Sequence, residues 1–266
     1  MAAGRYRNVL FNLDQCGHSK VDRRTIVHIM SSYPSVEIFY TFAIASLITF
    51  LRKTDSALLK RQLNHLDVDP ARLDDLDKVM SKQSWLGAAE QIVFESFRMC
   101  ARFVSPFSIH NPNGWNYWLI HFASAYRARQ VYNNILHNNS SLQAHYGRSG
   151  LHMLSYNPNH EGSLYLFDAP GREKAVEQLL DDIPRLIADA GDAIETRQFY
   201  ESIYNVTPAH MDDIHQAIIQ NPDVEVVTPN GGERRKAKTI GPGDVLKLRS
   251  QRSFPIFLSA GTTPRR

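Results

Sequence analysis

Short apolar runs alternate with helical periodicity along the first part of the chain. Residues 9–14 (VLFNLD) are rich in strand-forming side chains, and residues 36–42 (VEIFYTF) form a second such run. Between them, apolar side chains recur every three or four residues, which predicts a helix that ends before Pro34. A strand, a helix and a second strand in this order predict a βαβ unit with two parallel strands.

The next part of the chain is patterned mainly for helices. Residues 52–85 are charged and read as short helices, either an insertion or a solvated helical layer, and residues 86–104 continue as an amphipathic helix. A loop is expected from residue 106 to 114. Residues 117–123 (YWLIHFA) then predict a strand that is covered on both faces, followed by a helix over residues 124–136.

A loop around His145 separates this helix from a short predicted strand at residues 164–167 (LYLF). Residues 174–190 are helical by period, with a kink or break expected at Pro184 because proline lacks the amide hydrogen that a helix uses. A domain boundary is predicted near Gly191, where the pattern changes.

The C-terminal pattern is a helix followed by a hairpin. Thr207-Pro208 predicts the helix start, with threonine as cap and proline in the first turn, and Asn221-Pro222 ends the helix. Residues 224–227 alternate as a strand, and residues 228–232 (TPNGG) predict a turn. A basic return strand is expected from Arg234, and residues 245–248 add a further strand. This outline is typical of a winged-helix module.

Charge is unevenly distributed. The net charge is +3, but residues 229–266 hold nine lysines and arginines against two acids, which makes this segment +7 and residues 1–228 −4. Such a basic end either meets an anion or keeps the protein in solution. The apolar run at residues 36–53 contains Glu37 and predicts a strand and a core helix rather than a membrane span.

Two cysteines, Cys16 and Cys100, are too few for a disulfide framework and stand in no CxxC pair. They indicate a reducing, cytoplasmic location, and no structural zinc site is predicted. No signal peptide is recognised at the N-terminus.

Three segments resemble the three-Cys-motif partner proteins, a bacterial and phage family with a body like that of S-adenosylmethionine-dependent methyltransferases. They follow the family's order and are residues 9–21 (VLFNLDQCGHSKV), residues 115–156 (WNYWLIHFASAYRARQVYNNILHNNSSLQAHYGRSGLHMLSY) and residues 207–252. The middle segment is the most specific. The resemblance implies a Rossmann-like body, S-adenosylmethionine as cofactor, and a partner protein with a three-cysteine motif of the iron–sulfur type.

The resemblance also implies catalytic residues. The family's Asp-Pro-x-Gly type loop corresponds here to Asp14-Gln15-Cys16-Gly17, so Asp14 would accept from the group being methylated while Gln15 and Gly17 shape the loop. The alternative is that Asp14 caps the following helix. Gln15 replaces the family's proline, which relaxes the loop.

One part that the family uses is missing from the sequence. No GxGxxG motif is present, and Gly241-Pro242-Gly243 precedes a strand-like run near the C-terminus, where it cannot cradle the cofactor. We therefore expect a chain that does not hold S-adenosylmethionine by itself, either because it is shortened at the N-terminus or because another chain completes it.

Other candidate residues have two interpretations each. Arg127 and Arg129, with Tyr126 and Tyr132, either hold an anion near a helix start or form a solvated helix face, and the solvated face is favoured. The histidines could form a metal site, but ordinary core or surface histidines are favoured because they lack ligand spacing. They are His18, His28, His121, His145, His152 and His160.

The presumed wing carries Arg234, Arg235, Lys236 and Lys238, which are spaced along a ribbon as phosphate neutralisation requires. The preceding helix carries Asp212 and Asp213, which would repel phosphates from its exposed face. Contact with a protein is therefore at least as well supported as contact with nucleic acid.

Together these patterns predict an α/β protein with a partial Rossmann-like, methyltransferase-like parallel sheet and a small winged-helix-like domain. The domains are residues 1–190 with a helical insertion near 52–105, residues 191–255, and a tail at 256–266. Two functions stay open: a methyltransferase-like three-Cys-motif partner protein, or a non-catalytic adaptor that binds a partner protein or nucleic acid through its wing.

Overall fold

The computed structural model contains two β-sheets with helices packed on them. The described residues are 7–14, 20–44, 64–68, 92–110, 116–138, 143–146, 164–166 and 168–250. Most of the predicted helical insertion and the whole C-terminal tail lie outside these ranges. Within the described chain, no helix is long and apolar enough to cross a membrane.

The predicted βαβ unit is confirmed. Strand β1 (Asn8–Leu13) pairs in parallel with β2 (Ser35–Phe42), and helix α1 (Arg23–Ser32) connects them. Helix α1 starts after Asp22, whose side chain accepts a 2.7 Å hydrogen bond from the Thr25 amide, as an N-cap residue does.

Beyond this pair the first sheet is antiparallel, and the expected parallel sheet is wrong there. The further strands are β3 (Phe103–His110), β4 (Asn116–Ala123), β5 (Gln143–Tyr146) and β6 (Leu164–Leu166), in the order β1-β2-β4-β3-β5-β6. All pairs after β1-β2 are antiparallel. Only residues 111–115 join β3 to β4, which is too short for the crossover that parallel pairing needs. The α/β class holds, with a mixed sheet.

Strand β3 replaces two predicted features. Helical structure at residues 92–98 ends before it, so the helix expected to reach residue 104 is shorter, and the loop expected from residue 106 begins as strand. Pro106 misled the prediction because proline is rare inside sheets. It lies opposite Ile120 of β4, and β5 pairs with β3 only at Ser108 and Ile109. Among the described strands, Pro106 therefore has only one neighbour. Strand β5 likewise replaces the loop expected around His145.

Side-chain alternation gives the first sheet two covered faces. On one face Val36, Ile38, Tyr40 and Phe42 of β2 pack with Ile26 of α1 and with Phe97. On the other face, helix α2 (Tyr126–Asn138) lies near Phe39 and Phe107 through its residues Tyr132 and Leu136. The predicted helix after β4 is thus confirmed, shifted by two residues.

Helix α3 (Ala169–Asp189) continues through Pro184, so of the expected kink or break the break is wrong, and the kink stays a prediction. Proline at this position leaves the carbonyl group four residues earlier, that of Leu180, without its helical donor. The side chain of Asn221 donates a 2.6 Å hydrogen bond to that carbonyl. A tertiary contact thus satisfies the acceptor that Pro184 frees.

The C-terminal part forms a second, three-stranded antiparallel sheet in the order β7-β9-β8. Its elements are β7 (Ala193–Glu195), α4 (Thr196–Ile203), α5 (Met211–Gln220), β8 (Val224–Val227) and β9 (Val245–Leu248). Helix α3 shares their apolar core through Leu179, Ile183 and Ile187. This cluster therefore spans the predicted division at residue 190, which stays a prediction.

Two predicted boundaries in this part are wrong. Helix α5 starts at Met211 after the cap residue His210, not at Thr207, because the carbonyl groups of residues 207–209 bond to side chains of α2. No return strand begins at Arg234: after one bridge between Val227 and Glu233 the chain enters a 3-10 turn at Ala237–Thr239. The turn at residues 228–232 is confirmed, with Gly231 at a φ of 79° that favours glycine.

Candidate functional site

Asp14 follows β1 at the end of the sheet where β1 and β2 both finish. Its side chain is exposed, and its Oδ1 accepts a 2.7 Å hydrogen bond from the Thr41 hydroxyl of β2. This bond joins the carboxyl ends of two parallel strands, where α/β sheets bind ligands. The other two predicted catalytic residues, Gln15 and Gly17, lie outside the described residues.

A buried histidine lies on the same face of the sheet. The Nε2 atom of His121 is 3.0 Å from Oε2 of Glu37, and the imidazole contacts the rings of Phe39 and Tyr132, with ring centres 5.0 and 4.4 Å away. Burial lowers the pKa of His121, so the neutral ring donates to Glu37, and this hydrogen bond lowers the pKa of Glu37. Because His121 has no exposed surface, it cannot serve as a general base for a solvent-borne substrate.

Arg129 of α2 is fully buried, so the favoured solvated face is wrong for this residue. Its Nε donates a 3.2 Å hydrogen bond to the Tyr204 carbonyl, and its guanidinium lies 5.1 Å from the centre of the Tyr132 ring. Burial lowers the pKa of Arg129 to about 10, so the group is still charged at neutral pH. Its two Nη atoms have no hydrogen-bond partner among the described residues and no contact with solvent. Arg129 therefore does not offer an open anion site.

The neighbouring polar residues of α2 bond to the connection between α4 and α5. Asn133 Nδ2 donates to the carbonyl groups of Thr207 and Ala209 at 3.1 and 3.3 Å. His137 Nε2 donates to the Pro208 carbonyl at 3.0 Å. Gln130 donates to the Tyr204 hydroxyl, and Asn134 accepts from the Met211 amide. We call this set of contacts between α2 and residues 204–211 the polar joint.

Arg234, the first of the predicted wing cations, is committed to an internal ion pair. It makes a two-pronged contact with the buried Asp244, from Nε to Oδ2 at 3.1 Å and from Nη2 to Oδ1 at 3.3 Å. Asp244 also accepts from the Gly241 amide through its side chain and from Thr196 through its carbonyl group. Arg234 thus fixes the base of the hairpin and is not available to a ligand.

The other three predicted cations are exposed. Arg235 has 85% of its side chain exposed and makes a loose contact of 3.9 Å with Glu233. Lys236 and Lys238 are exposed and have no ion pair among the described residues. The structure therefore leaves Arg235, Lys236 and Lys238 exposed on the surface segment between β8 and β9.

Helix α5, which precedes the hairpin, exposes fewer acidic side chains to solvent than the sequence predicted. Asp213 is buried and paired with Arg172 at 2.6 and 2.9 Å, so only Asp212 of the two acids is exposed. Asp212, Gln216 and Gln220 form the exposed stripe, and the rest of the helix is buried or partly buried. Because α3 and the turn at Ala237–Thr239 pack against α5, it cannot enter a DNA groove with its full face.

The histidines do not assemble into a site in the described chain. His28 is exposed and His121 pairs with Glu37. His18, His152 and His160 lie outside the described residues, as does the side chain of His145. Across the described ranges, no cluster of histidine, cysteine and acidic side chains could hold a metal ion.

Comparisons with protein-family models, curated proteins and solved structures give no significant match for this chain. The family resemblance seen in the sequence therefore stays a prediction.

Two buried polar groups were missed in the sequence. Asp244 follows Gly241-Pro242-Gly243, which reads as an exposed turn, and its role becomes visible only when Arg234 lies beside it. The polar joint has one sequence feature that could have been recognised. Arg129, Asn133 and His137 recur every four residues and therefore lie on one helix face. Polar residues at this spacing usually form a solvent-exposed helix face, so the sequence favoured exposure where the structure shows burial.

Removing the Arg234 side chain is expected to destabilise the protein far more than removing that of Arg235. Arg234→Ala leaves the buried Asp244 carboxylate without its partner, which costs about 2–3 kcal/mol for a hydrogen-bonded charge. Arg235→Ala removes an exposed side chain and should change stability by less than about 0.5 kcal/mol. Urea denaturation of both variants measures this difference. Equal effects would show that the Arg234–Asp244 pair does not hold the hairpin.

We expect the free energy of unfolding to decrease at acidic pH, because histidines of the polar joint bind protons more readily in the unfolded chain. Burial lowers the pKa of His137 to about 4 and also lowers that of His210, whose ring is 5.4 Å from the His137 ring. Between pH 6.5 and 4 the unfolded chain therefore binds more protons than the folded one, so the free energy of unfolding falls as the pH falls through this window. His137 contributes at most about 3 kcal/mol.

Unfolding measured at several pH values tests this expectation with two variants. His137→Gln keeps a donor for the Pro208 carbonyl but does not titrate, so it should lose less stability than the parent between pH 6.5 and 4. His28→Gln, at an exposed position, should follow the parent. If His137→Gln and the parent lose stability equally, His137 does not cause the acid sensitivity.

Proposed function

We propose that this chain is a binding protein of the three-Cys-motif partner type, whose C-terminal part docks on an anionic macromolecule through a basic hairpin. The element order from α3 to β9 is helix, strand, helix, helix, strand, hairpin and strand, with sheet order β7-β9-β8. This is the order expected of a winged-helix-like module, with residues 228–244 as the wing. By resemblance, the partner is a protein with a three-cysteine, iron–sulfur type motif.

The observation that carries the proposal is that exposed cations lie on a hairpin whose beginning is anchored by an internal ion pair. Arg235, Lys236 and Lys238 are exposed, while Arg234 next to them is held by Asp244. A hairpin that is anchored in this way loses little conformational entropy when it binds, which favours affinity. Three positive side chains in four residues attract phosphate or carboxylate groups.

The wing, rather than α5, is the contact element. The exposed stripe of α5 carries one acid and two neutral amides, Asp212, Gln216 and Gln220. Such a stripe lacks the arginine and lysine side chains that most often read bases or neutralise phosphates. We therefore favour an adaptor whose affinity comes from the wing cations and depends on salt.

Replacing Arg235, Lys236 and Lys238 by alanine should flatten the salt dependence of binding to a polyanion. With a random-sequence DNA duplex as probe, each lost phosphate contact makes the slope of log K against log salt less steep by about 0.9, so about 2–3 for the triple variant. Fluorescence anisotropy across a salt series measures the slope.

A matched control removes the same charge elsewhere. Arg24, Arg98 and Lys174 are exposed and lie outside the hairpin, so their triple alanine variant has the same net charge as the wing variant. It should keep the steep slope. If the two triple variants behave alike, or the wing variant keeps the parental slope, the hairpin is not the contact surface.

Methyl transfer from S-adenosylmethionine is the second candidate function. It draws on the family resemblance and on Asp14, which is exposed at the carboxyl end of β1 beside Thr41. The described residues do not fit the cofactor: these strand ends offer a carboxylate and a hydroxyl group, and the described glycines lie from residue 171 onward. We therefore derive no step through S-adenosylmethionine.

Calorimetry separates the two functions. We expect titration of the intact chain with S-adenosylmethionine to give no binding heat, because the sequence has no GxGxxG motif that could cradle the cofactor. Binding in the micromolar range that Asp14→Asn weakens would instead favour the methyltransferase function over the adaptor. For either function we propose a cytoplasmic location, which is consistent with Cys100 being buried and outside any disulfide bond.

A further inference from the structure

Strand β1 is an edge of the first sheet that lacks the usual features against further pairing. Among the described strands it pairs only with β2, and no described backbone group outside β2 bonds to it. Its residues, Asn8–Leu13, are all uncharged and include no proline or glycine. Edge strands are normally protected by charged side chains, proline, bulges or short length, because their unpaired amide and carbonyl groups form a template for another strand.

The other edge strands of the described sheets are short or charged. Strands β6 and β7 have three residues each, and β8 has four residues and carries Glu225. Strand β1 has six residues, and the nearest charged side chains, Arg7 and Asp14, stand outside its ends. Of the described edges, β1 is therefore the one best suited to accept a further strand.

The side chains of β1 offer an apolar contact to such a strand. Leu10 is 62% exposed, and the residues that share its face, Asn8 and Asn12, are exposed as well. Alternation places Val9 and Phe11 on the opposite face, where both are partly buried. An exposed leucine at the centre of an unpaired edge becomes more buried when another strand is added, which favours association.

The polarity of this edge reads the same in both directions, since the residues NVLFN are symmetric about Leu10. Residues opposite each other in an antiparallel pair point to the same face of the sheet. If two copies pair through β1 about Leu10, this leucine faces the same leucine of the second copy. Val9 then faces Phe11. Asn8 likewise faces Asn12, so each position meets a side chain of its own polarity.

We propose that this edge binds a second copy of the chain, with the two β1 strands antiparallel across a twofold axis at Leu10. A strand of unrelated sequence would match the edge through its backbone groups, whereas a second copy also matches it in side-chain polarity. The inference does not depend on the basic hairpin and goes beyond the proposed function. One strand from each copy makes a small interface, so we expect a reversible dimer with a Kd on the order of 10 µM.

Analytical ultracentrifugation of the intact chain between about 1 and about 100 µM tests the inference, and the fraction of dimer should rise with concentration. Leu10→Lys should weaken the dimer at least about 10-fold, because it removes the apolar contact and places two like charges opposite each other at the axis. Met99→Lys makes the same change in charge at a residue that is 73% exposed and lies outside β1, so it should leave the dimer unchanged.

A chain that stays monomeric over this range would overturn the inference, including the case in which a strand of another protein occupies the edge. A dimer that Leu10→Lys leaves intact, or that Met99→Lys weakens equally, would place the interface elsewhere and overturn it as well. Urea denaturation verifies that both variants are folded, which we expect because both side chains are exposed.

Two double variants at Asn8 and Asn12 test the antiparallel register. Asn8→Glu with Asn12→Lys places opposite charges across the axis at two positions and should tighten the dimer about 2-fold to 30-fold. Asn8→Lys with Asn12→Lys places like charges there and should weaken the dimer by a similar factor. Both positions are exposed, so the monomer should accept either pair. Equal dimer affinities of the two double variants would overturn the pairing about Leu10.

Discussion

The connection between α4 and α5 has no regular structure of its own, yet residues 207–209 are buried. Buried carbonyl groups are normally hydrogen-bonded, and within the described chain no backbone amide bonds to the carbonyl groups of residues 207–209. Helix α2 supplies the donors from Asn133 and His137, and Arg129 serves the Tyr204 carbonyl one step earlier. This requirement explains why a helix on the face of the first sheet has a polar buried surface.

The polar joint also sets the position of the C-terminal elements against the first sheet. Asn205 bonds to the backbone at the start of β3 in the same way. Its side-chain Oδ1 accepts from the Val104 amide at 2.9 Å, and its side-chain amide donates to the Arg102 carbonyl. Hydrogen bonds are directional, so these contacts fix one arrangement where apolar packing alone would tolerate several. The cost is the burial of the Arg129 charge without an acid beside it among the described residues.

Helix α3 and the hairpin repeat this pattern on a smaller scale. In α3 the carbonyl group freed by Pro184 is satisfied by Asn221, and in the hairpin the buried Asp244 is satisfied by Arg234 and Gly241. In each case a polar group that local structure leaves unpaired is satisfied by a residue elsewhere in the chain, 41 residues away for Leu180 and ten for Asp244. The exposed cations of the hairpin directly follow Arg234, which the second of these contacts holds in place.

Local patterns predicted much of the fold. The βαβ unit, β4, α2, β8 and the turn after it were recognised because alternation, helical period and turn residues report on near neighbours. Strand β3 was missed because Pro106 argues against a strand unless its edge is known. The start of α5 was misplaced because Thr207-Pro208 is a good local start, which the bonds from α2 override.

For the candidate site the division is similar. The sequence by itself located the basic segment, because charge can be counted along the chain. It also located Asp14, because this residue directly follows a predicted strand. Only the tertiary structure decided that Arg234 is paired with Asp244, that Asp213 is buried against Arg172, and that Arg235, Lys236 and Lys238 are exposed. The physical reason is that the availability of a charge depends on which distant group it meets and on how much water remains around it, and neither is encoded in its neighbours along the chain.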